Sequence, residues 1–449
     1  MFRTVLRYDY GLTVAVPLRP DTLDRLRGRV AVPEYDRTAL RPGVVHLSVG
    51  AFHRSHQAVF FDDLARLGHR DWGLVGVGLR RPEMGHALVP QAGLYTVVAR
   101  GAAGDEARIV GAMTRYRYAP RARGAVLAAL GDPRARLVTL TITAGAYEER
   151  SSVALELLVD GLDARRREGL APFTVLSCDN LPGNGAVARD AVLACARRRC
   201  PRLAAWIAER VAFPSSMVDR ITPATTDADR RFVEQAFGVR DRWPVITEPF
   251  SQWVVEDAFA GERPPLDEVG VQFVRDVRPY ALAKTRLLNA THAAIGHLGA
   301  LAGLRRADEA MRDPFLGPYV ERLMADEVSP LLPPAAGIDL PVYRRALLTR
   351  LANPVIGDDL ARLRRAGEVK VRAHLLPSIA EARARRRPHP LLTLAVAAWR
   401  AETRHRTAEP LLPGDPGFAV ELEAAVRALA RDGVRAAIAA ELDRLRIVA

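Results

Sequence analysis

Short apolar runs rich in β-branched residues alternate with helical patterns through the first half of this chain. Four runs, at residues 44–49, 73–79, 137–143 and 173–177, have the length and composition of buried strands, and shorter ones follow at 245–247 and 271–274. Because the intervening segments are long enough for crossover helices, the pattern predicts an α/β fold with a mainly parallel sheet.

From about residue 281 onward the pattern becomes helical almost throughout. Leucine and alanine recur at spacings of three and four with arginine between them, as in 346–351 and 420–429. Pro279 is a plausible helix breaker just ahead of this change. We therefore expect two domains, an α/β domain over 1–280 and a mainly helical domain over 281–449.

Length and composition agree with two domains, because 449 residues with 49% hydrophobic content exceed the usual span of one core. The chain shows neither a signal-peptide pattern nor a long apolar span, so we expect a soluble, cytoplasmic protein without a membrane partner. The three cysteines, Cys178, Cys195 and Cys200, lack the CxxC spacing of zinc or redox sites. We expect no disulfide and no metal.

The formal net charge of +13 raises the question of a polyanionic partner. Acidic residues are interspersed throughout, and the densest arginine runs, at 165–167, 197–199 and 385–387, are typical of solvated helix faces. No basic stripe is interleaved with aromatic residues, so the sequence does not predict nucleic-acid binding.

Lysine and asparagine are scarce in this chain. The only lysines are Lys284 and Lys370, and the four asparagines are Asn180, Asn184, Asn289 and Asn353. Arginine cannot replace a lysine that transfers protons, because guanidinium stays protonated. Asparagine both donates and accepts hydrogen bonds, which suits an alcohol or alkoxide oxygen. The rare residues are therefore candidates for chemistry, with survival by chance on the surface or in turns as the alternative.

The first strand leads into Ser-Val-Gly-Ala-Phe-His-Arg-Ser-His at 48–56. A dinucleotide-binding fold places its pyrophosphate at such a strand-turn-helix passage. Ser48 and His53 occupy the first and third glycine positions of GxGxxG, so an ordinary strand-helix turn is the alternative. The candidates for cofactor contact here are Gly50, Phe52, His53 and Arg54.

Arg80, Arg81 and Glu83 follow the second strand. An acid in this position holds the ribose hydroxyls of NAD, whereas arginine favours the 2′-phosphate of NADP. The residues alone leave the choice of cofactor open.

Two further polar segments follow strands. Asn180 lies at the carboxyl end of the strand at 173–177, where ligands gather in open α/β sheets, while Asn184 before a glycine is typical of a turn. Asp219 is either a carboxylate that orients a ligand or an ion-pair partner of Arg220.

Lys284, Asn289 and His292 form the strongest candidate cluster. At about 100° per residue, His292 lies roughly 80° and Asn289 roughly 140° round an α-helix from Lys284, so all three can line one broad face. We expect Lys284 in the first turn, where the positive helix end and partial burial would lower its pKa. It would then accept a hydroxyl proton during hydride transfer to nicotinamide, with asparagine donors on the oxygen and His292 on the substrate. An exposed lysine beside a core histidine is the alternative.

Taken together, the segments of the chain resemble the mannitol 2-dehydrogenase family of long-chain polyol dehydrogenases. The similar segments are, in order, GAFHRSHQAVFFDDL, WGLVGVGLR, LTITAGAY, FTVLSCDNLPGNGAV, FPSSMVDRITP, EPFSQWVVEDAF, VGVQFVRDVRPY and AKTRLLNATH. The resemblance implies an N-terminal Rossmann-type dinucleotide-binding domain, a helical C-terminal domain, metal-independent hydride transfer and catalysis in the cleft between the domains.

The resemblance also implies roles for individual residues. Lys284 resembles the family's general acid/base, Asn180 and Asn289 its oxyanion-stabilising pair, and His292 its substrate-binding histidine. Further polar contacts to the substrate are implied at three positions, namely Asp219, Arg362 and Lys370.

Two departures from the family are Ala144 and Ala281, where it usually carries glutamates that tune and relay the lysine proton. Glu83 resembles the remainder of an acidic pair found in NAD-dependent members, so NAD is favoured over NADP. We expect a monomer that interconverts a polyol and a ketose. The alternatives are a fructuronate or tagaturonate type of reductase, with an added cation for the carboxylate, and a catalytically weakened nucleotide-binding protein.

Overall fold

The structure, a computed structural model, describes residues 14–149, 151–334, 337–403 and 411–448. The chain divides into two units, Met1–Val277 and Arg278–Ala449. This division falls three residues before the predicted boundary at 280, because the helix that carries Lys284 already begins at Arg278.

The first unit contains thirteen strands within the described residues. They are β1 (Val16–Pro17), β2 (Pro42–Leu47), β3 (Gly73–Gly78), β4 (Tyr95–Gly101), β5 (Gly104–Val110), β6 (Met113–Tyr118), β7 (Leu137–Leu140), β8 (Thr174–Ser177), β9 (Ser216–Asp219), β10 (Val239–Arg240), β11 (Val245–Thr247), β12 (Gln252–Glu256) and β13 (Gln272–Val274). Its helices are α1 (Leu23–Leu26), α2 (Ala51–Ser55), α3 (Gln57–Arg66), α4 (Glu83–Leu88), α5 (Ala119–Gly131), α6 (Ala144–Glu148), α7 (Val153–Arg167), α8 (Asn184–Arg199), α9 (Pro201–Arg210) and α10 (Asp227–Phe237).

The main sheet has the strand order β6-β3-β2-β7-β8, and every pairing in it is parallel. The four predicted buried strands are β2, β3, β7 and β8, so the α/β fold is confirmed. Alternate side chains of β2 enter different cores, with Val45 and Leu47 on one face and Val44 on the other. Burial on both faces explains why these strands are continuous apolar runs.

The strand order reverses between β2 and β7. In open α/β sheets, ligands bind in the crevice at the carboxyl ends of the two strands that flank such a switch point. The loops after β2 and β7 are therefore the first place to look for a cofactor site.

Three smaller sheets complete the first unit, with the orders β11-β4-β5, β13-β12-β9 and β1-β10. The predicted strands at 245–247 and 271–274 belong to these small sheets as β11 and β13. The antiparallel pair β4 and β5 and the edge strand β6 were not among the predicted strands, and in β5 and β6 charged side chains interrupt the apolar residues.

The second unit is helical, as predicted. Its α-helices are α11 (Arg278–Ala283), α12 (Ala290–Leu301), α13 (Ala307–Arg312), α14 (Leu316–Arg322), α15 (Leu340–Leu351), α16 (Leu360–Arg364), α17 (Gly367–Lys370), α18 (Leu376–Ala384), α19 (Pro390–Thr403), α20 (Pro416–Asp432) and α21 (Val434–Val448). The predicted helical segments 346–351 and 420–429 lie in α15 and α20. Of the helices in the described ranges, none is both long and apolar enough to cross a bilayer.

Within the described part of the second unit, three π-helical segments interrupt the α-helical pattern, at Lys284–Asn289, Leu323–Val328 and Val371–Leu375. The first of these packs against the other two. Because π-helical turns are rare and frequently lie at functional sites, this contact region marks the part of the unit most relevant to chemistry.

Candidate active site

The predicted strand-turn-helix passage is present at the carboxyl end of β2. Ser48 has a positive φ of 77°, and Gly50 is the N-cap of α2, without a side-chain hydrogen bond to cap the helix. The first backbone N–H groups of a helix need an acceptor, and an anionic ligand can provide it. This end of α2 therefore fits the phosphates of a dinucleotide.

The side chains of His53 and Arg54 do not face this crevice, since both are completely buried. The His53 ring stacks on His46 with 3.4 Å between ring centroids. Arg54 donates a hydrogen bond to the Trp243 carbonyl and lies over the ring of Tyr95. The structure thus places both side chains in the protein interior, and a contact of His53 or Arg54 with the cofactor stays a prediction. Phe52 is partly buried and stacks on His56.

The buried pair His46 and His53 makes the first unit sensitive to acid. Burial lowers the pKa of His46 to about 3 and that of His53 well below its usual value. Unfolded histidine titrates near about 6.5, so the unfolded chain binds more protons below that pH and folding stability falls as the pH drops. We expect a lower urea midpoint at pH 5.5 than at pH 7.5.

Tryptophan fluorescence can follow this transition, because four of the five tryptophans lie in the first unit, at 72, 206, 243 and 253. His53→Phe keeps an aromatic ring on His46 but cannot be protonated. The difference between the urea midpoints at pH 7.5 and pH 5.5 should therefore be smaller in this variant than in the wild type. An unchanged difference would contradict the assignment of the acid sensitivity to His46 and His53.

Glu83, the proposed ribose contact, is the first residue of α4 and is exposed to solvent. Its neighbour Arg80 lies 3.7 Å from Glu149, between Nη2 and Oε1. Glu83 follows the end of β3 by five residues, and its exposed side chain is free of packing constraints that would prevent contact with a ribose.

Asn180 and Asn184 follow β8 and differ in their surroundings. Asn180 is exposed at the carboxyl edge of the sheet. Asn184 is buried, and its Nδ2 donates to the carbonyls of Asp179 and Ser216, both at 2.9 Å. The structural role expected for Asn184 is thus present, whereas the exposed Asn180 can meet a ligand.

Asp179, which the sequence did not single out, is tightly held beside Asn180. Burial raises the pKa of its carboxyl, while hydrogen bonds from Tyr147, Thr143, Ile142 and Ser177 act in the opposite direction. The signal that could have identified Asp179 in the sequence is its position directly before Asn180, one of the four asparagines of the chain.

Asp219 ends β9 and is buried, with 3% of its surface exposed. The neighbouring Arg220 donates to main-chain carbonyls of Glu248 and Ser55. These main-chain acceptors account for the guanidinium of Arg220, and the role of Asp219 as a ligand-orienting carboxylate stays a prediction.

Lys284 belongs to one continuous helix formed by α11, the π-helical segment Lys284–Asn289 and α12. Pro279 lies in the first turn of this helix, where its missing N–H is tolerated. The prediction that Lys284 lies in the first turn is therefore wrong, and the helix terminus contributes little because its field fades within one turn. The expected burial is present, with 8% of Lys284 exposed.

The π-helical turn changes the geometry between Lys284 and Asn289. Its backbone hydrogen bonds join residues five apart instead of four, so Asn289 follows Lys284 by slightly more than one turn. The roughly 140° separation expected for an α-helix does not apply, and the two side chains lie on the same side of the helix. The wider turn thus brings these two rare residues together more closely than the sequence predicted.

His292 and Arg362 share the carboxylate of Asp358. Nε2 of His292 lies 4.0 Å from Oδ2 of Asp358, and Arg362 donates to both oxygens at 2.7 and 2.6 Å. Asp358 itself is 9% exposed. This carboxylate, absent from the sequence-based candidates, holds the guanidinium of Arg362 and lies near His292, the two residues that were predicted to contact substrate.

Lys370, the second lysine, and Lys284 both act electrostatically on His374. Nζ of Lys370 donates to the Leu363 carbonyl at 2.7 Å, and burial together with Arg362 lowers its pKa. Burial, followed by the positive charges of Lys370 and Lys284, lowers the pKa of His374 to about 4. A neutral imidazole thus lies within the field of both lysines. Its spacing of four residues from Lys370 was the signal that could have identified it.

Comparison with known proteins identifies the family of the chain. The model of the mannitol dehydrogenase Rossmann domain matches residues 42–268, and that of the mannitol dehydrogenase C-terminal domain matches residues 276–443. The chain belongs to the mannitol dehydrogenase family. Mannitol 2-dehydrogenase of Aspergillus clavatus is 41% identical over 401 residues, which cover 82% of this chain and 80% of that protein. Mannitol dehydrogenase 2 of Saccharomyces cerevisiae is 40% identical over 416 residues, which cover 86% and 82%.

Two solved structures of polyol dehydrogenases match almost the whole chain. The ternary complex of Pseudomonas fluorescens mannitol 2-dehydrogenase with NAD and D-mannitol has a TM-score of 0.85 and 33% identity, covering 95% of this chain and all of that one. A D-sorbitol dehydrogenase in substrate-free form has a TM-score of 0.88 and 30% identity, covering 94% and 100%. The predicted Rossmann-type unit and helical unit are thereby confirmed for this mannitol dehydrogenase family member.

Proposed function

We propose that this protein is an NAD-dependent oxidoreductase that interconverts a polyol and a ketose of the mannitol and fructose type. The observation that carries the proposal is its similarity, over 95% of the chain, to a mannitol 2-dehydrogenase solved with NAD and D-mannitol. The buried Lys284, in a π-helical turn with Asn289, supplies side chains suited to the reaction.

The residues at the switch point fit a dinucleotide. The uncapped end of α2 at Gly50 offers backbone N–H groups for phosphate, and Glu83 offers a carboxylate for ribose hydroxyls. NAD, when bound, accepts a hydride from the alcohol carbon.

Proton transfer is assigned to Lys284. Its amine would take the proton of the substrate hydroxyl, and Asn180 and Asn289 would donate hydrogen bonds to the oxygen as negative charge develops there. Lys284 is suited to this role because it is one of the two lysines of the chain and its side chain lies in the interior, 8% exposed.

Substrate orientation is assigned to His292 and to three further residues, Asp219, Arg362 and Lys370. The bidentate contact between Arg362 and Asp358 holds the guanidinium in one orientation, and Asp358 also lies beside His292. A preformed array of this kind reduces the entropy lost when a flexible polyol binds.

The comparisons do not favour the sugar-acid alternative, since the similar proteins named above are mannitol or sorbitol dehydrogenases. A weakened homologue would bind nucleotide without turning over substrate. Purified protein should be assayed with NAD and NADP against mannitol, sorbitol, arabinitol and sugar acids, and in reverse with fructose and ketouronates. Turnover of a polyol with NAD is expected, and binding of NAD without any turnover would contradict the proposal.

Cofactor preference tests the role of Glu83. A hydrogen bond to a charged group contributes about 1.5–3 kcal/mol, so Glu83→Gln should lower the kcat/KM ratio of NAD over NADP by about tenfold. Arg81→Gln is the matched control, because loss of a positive charge beside the same site should shift the ratio the other way. Initial rates with both cofactors measure the ratio, and an unchanged ratio in Glu83→Gln would remove Glu83 from the site.

A cytoplasmic location and a monomeric state stay predictions.

A further inference from the structure

Two residues other than glycine have a positive φ on either side of the switch point. Ser48 has a φ of 77° after β2, and Thr143 has a φ of 72° after β7. A positive φ is an outlier for a β-branched residue such as Thr143. Such strain persists only where surrounding contacts enforce it, and it concentrates at functional sites. The contacts that hold Thr143 are therefore informative.

The carboxylate of Asp179 holds the strained turn directly. The backbone N–H of Thr143 donates to Oδ1 at 2.8 Å, and that of Ile142 donates to Oδ2 at 3.1 Å. The hydroxyl of Tyr147 donates to Oδ2 at 2.6 Å and fixes the orientation of the carboxylate. One side chain after β8 thus secures two successive amides after β7.

The same turn is tied to the loop after β2 on its other side. Oγ1 of Thr141 donates to the Ser48 carbonyl at 2.9 Å and lies 3.0 Å from Nε2 of His46. Nδ1 of His46 is in turn 2.8 Å from Oγ1 of Thr139. A hydrogen-bonded chain therefore runs across the carboxyl ends of β2, β7 and β8, and Asp179 is its last member.

We propose that Asp179 is a positioning residue that keeps the turn 141–143 and the adjacent Asn180 in the arrangement needed for hydride transfer. The inference rests on the proposed function and adds a residue that acts through others. Asp179 is 9% exposed and its oxygens are engaged by the turn, so it does not itself contact substrate. Its carboxylate enforces the conformation of Thr143, and its backbone joins directly to Asn180.

Asp179→Asn separates this role from simple packing. Asparagine keeps the size but replaces one acceptor oxygen with an NH2 donor, so one of the two amides loses its partner. Thr143 should then relax, and kcat should fall by about 10- to 100-fold, as expected for a misplaced catalytic group.

Thr143→Gly is the matched rescue variant, because glycine adopts positive φ without a side-chain penalty. In the Asp179→Asn background it should restore most of the lost kcat, so Asp179→Asn should lower kcat less in a Thr143→Gly background than in the wild type. A merely structural role of Asp179 would not give this recovery. A double variant no more active than Asp179→Asn, or an unchanged kcat in Asp179→Asn, would overturn the proposal.

Hydrogen exchange provides a readout that does not require turnover. The amides of Ile142 and Thr143 should exchange faster in Asp179→Asn than in the wild type, whereas unchanged exchange would contradict the inference. If wild-type protein turned over no polyol, the proposed function would fail while this measurement still tested the turn. If Asp179→Asn yields no soluble protein, Tyr147→Phe replaces it and should lower kcat by a smaller factor. Thr143→Gly should offset this loss of kcat as well. An unchanged kcat in Tyr147→Phe would count against the proposal.

Discussion

Replacing Lys284 with alanine is expected to lower kcat for polyol oxidation by about 10²- to 10⁴-fold, the contribution typical of a positioned acid or base. The buried amine is the group assigned to accept the hydroxyl proton, and alanine provides no substitute. NAD affinity should stay within about threefold, a free-energy change below about 1 kcal/mol, because the cofactor contacts are assigned to the first unit. Initial rates at saturating substrate and fluorescence titration with NADH measure the two quantities.

Two further variants control for charge and folding. Lys284→Arg keeps a positive charge but cannot release its proton near neutral pH, so its kcat should be as low as that of the alanine variant. Arg372→Ala removes an exposed ion pair with Glu368 in the same unit and should leave kcat unchanged. Undiminished turnover in Lys284→Ala would remove this lysine from the mechanism.

The largest effect on stability is expected from Asp62→Asn in the first unit. Asp62 is completely buried and accepts hydrogen bonds from the Tyr35 hydroxyl at 2.5 Å and the Gly111 amide at 2.7 Å. It also pairs with Arg66 and Arg108. Although burial opposes ionisation, these two cations hold the pKa of Asp62 below its usual value.

Asparagine would leave both guanidinium groups without their buried partner. Breaking a buried ion pair costs about 3–5 kcal/mol of unfolding free energy, and we expect the lower end of this range. The side chains of Arg66 and Arg108 are 23% and 25% exposed, so water partly compensates for the loss. Urea unfolding followed by tryptophan fluorescence would report the change in the first unit.

Asp63→Asn is the matched control for this prediction. Asp63 is the next residue along the chain and also pairs with Arg108, at 2.7 Å, but its side chain is 34% exposed. An ion pair with this exposure contributes about 0–1 kcal/mol. Equal losses of stability in Asp62→Asn and Asp63→Asn would show that burial does not determine the effect.

Acid should weaken the Asp62 cluster only at low pH. Because the folded-state pKa of Asp62 is depressed, its stabilising contribution is present above the pKa of the unfolded carboxyl and is lost as the pH falls through the folded value. The stabilising contribution of the neutral pair His46 and His53 begins to be lost at a less acidic pH. The two effects are therefore separable by pH.

Local sequence was sufficient for four of the five strands of the main sheet and for the first candidates. The strands β2, β3, β7 and β8 are buried on both faces, so their apolar runs were visible without any knowledge of their neighbours. Scarcity of lysine and asparagine singled out Lys284 and Asn289 because arginine and other common residues cannot replace their chemistry. The resemblance to the family likewise followed from the order of the similar segments along the chain.

The surroundings of these residues depended on contacts between distant segments. His53 and Arg54 follow the first turn as a cofactor site would require, yet packing against His46 and Tyr95 buries both side chains. Asp179 lies 36 residues from Thr143, and their hydrogen bond exists only because β7 and β8 are neighbours. His374 reaches the field of Lys284 only because two π-helical segments pack together.

The sequence by itself thus determined the α/β and helical units, the family and the identity of the rare polar residues, since these depend on composition and local periodicity. Only the tertiary structure decided that Lys284 lies beyond the first turn, that a π-helical turn aligns it with Asn289, and that Asp179 secures the switch-point turn. The physical reason is that burial, helix register and long-range hydrogen bonds depend on residues far apart in the chain, which a local pattern does not specify.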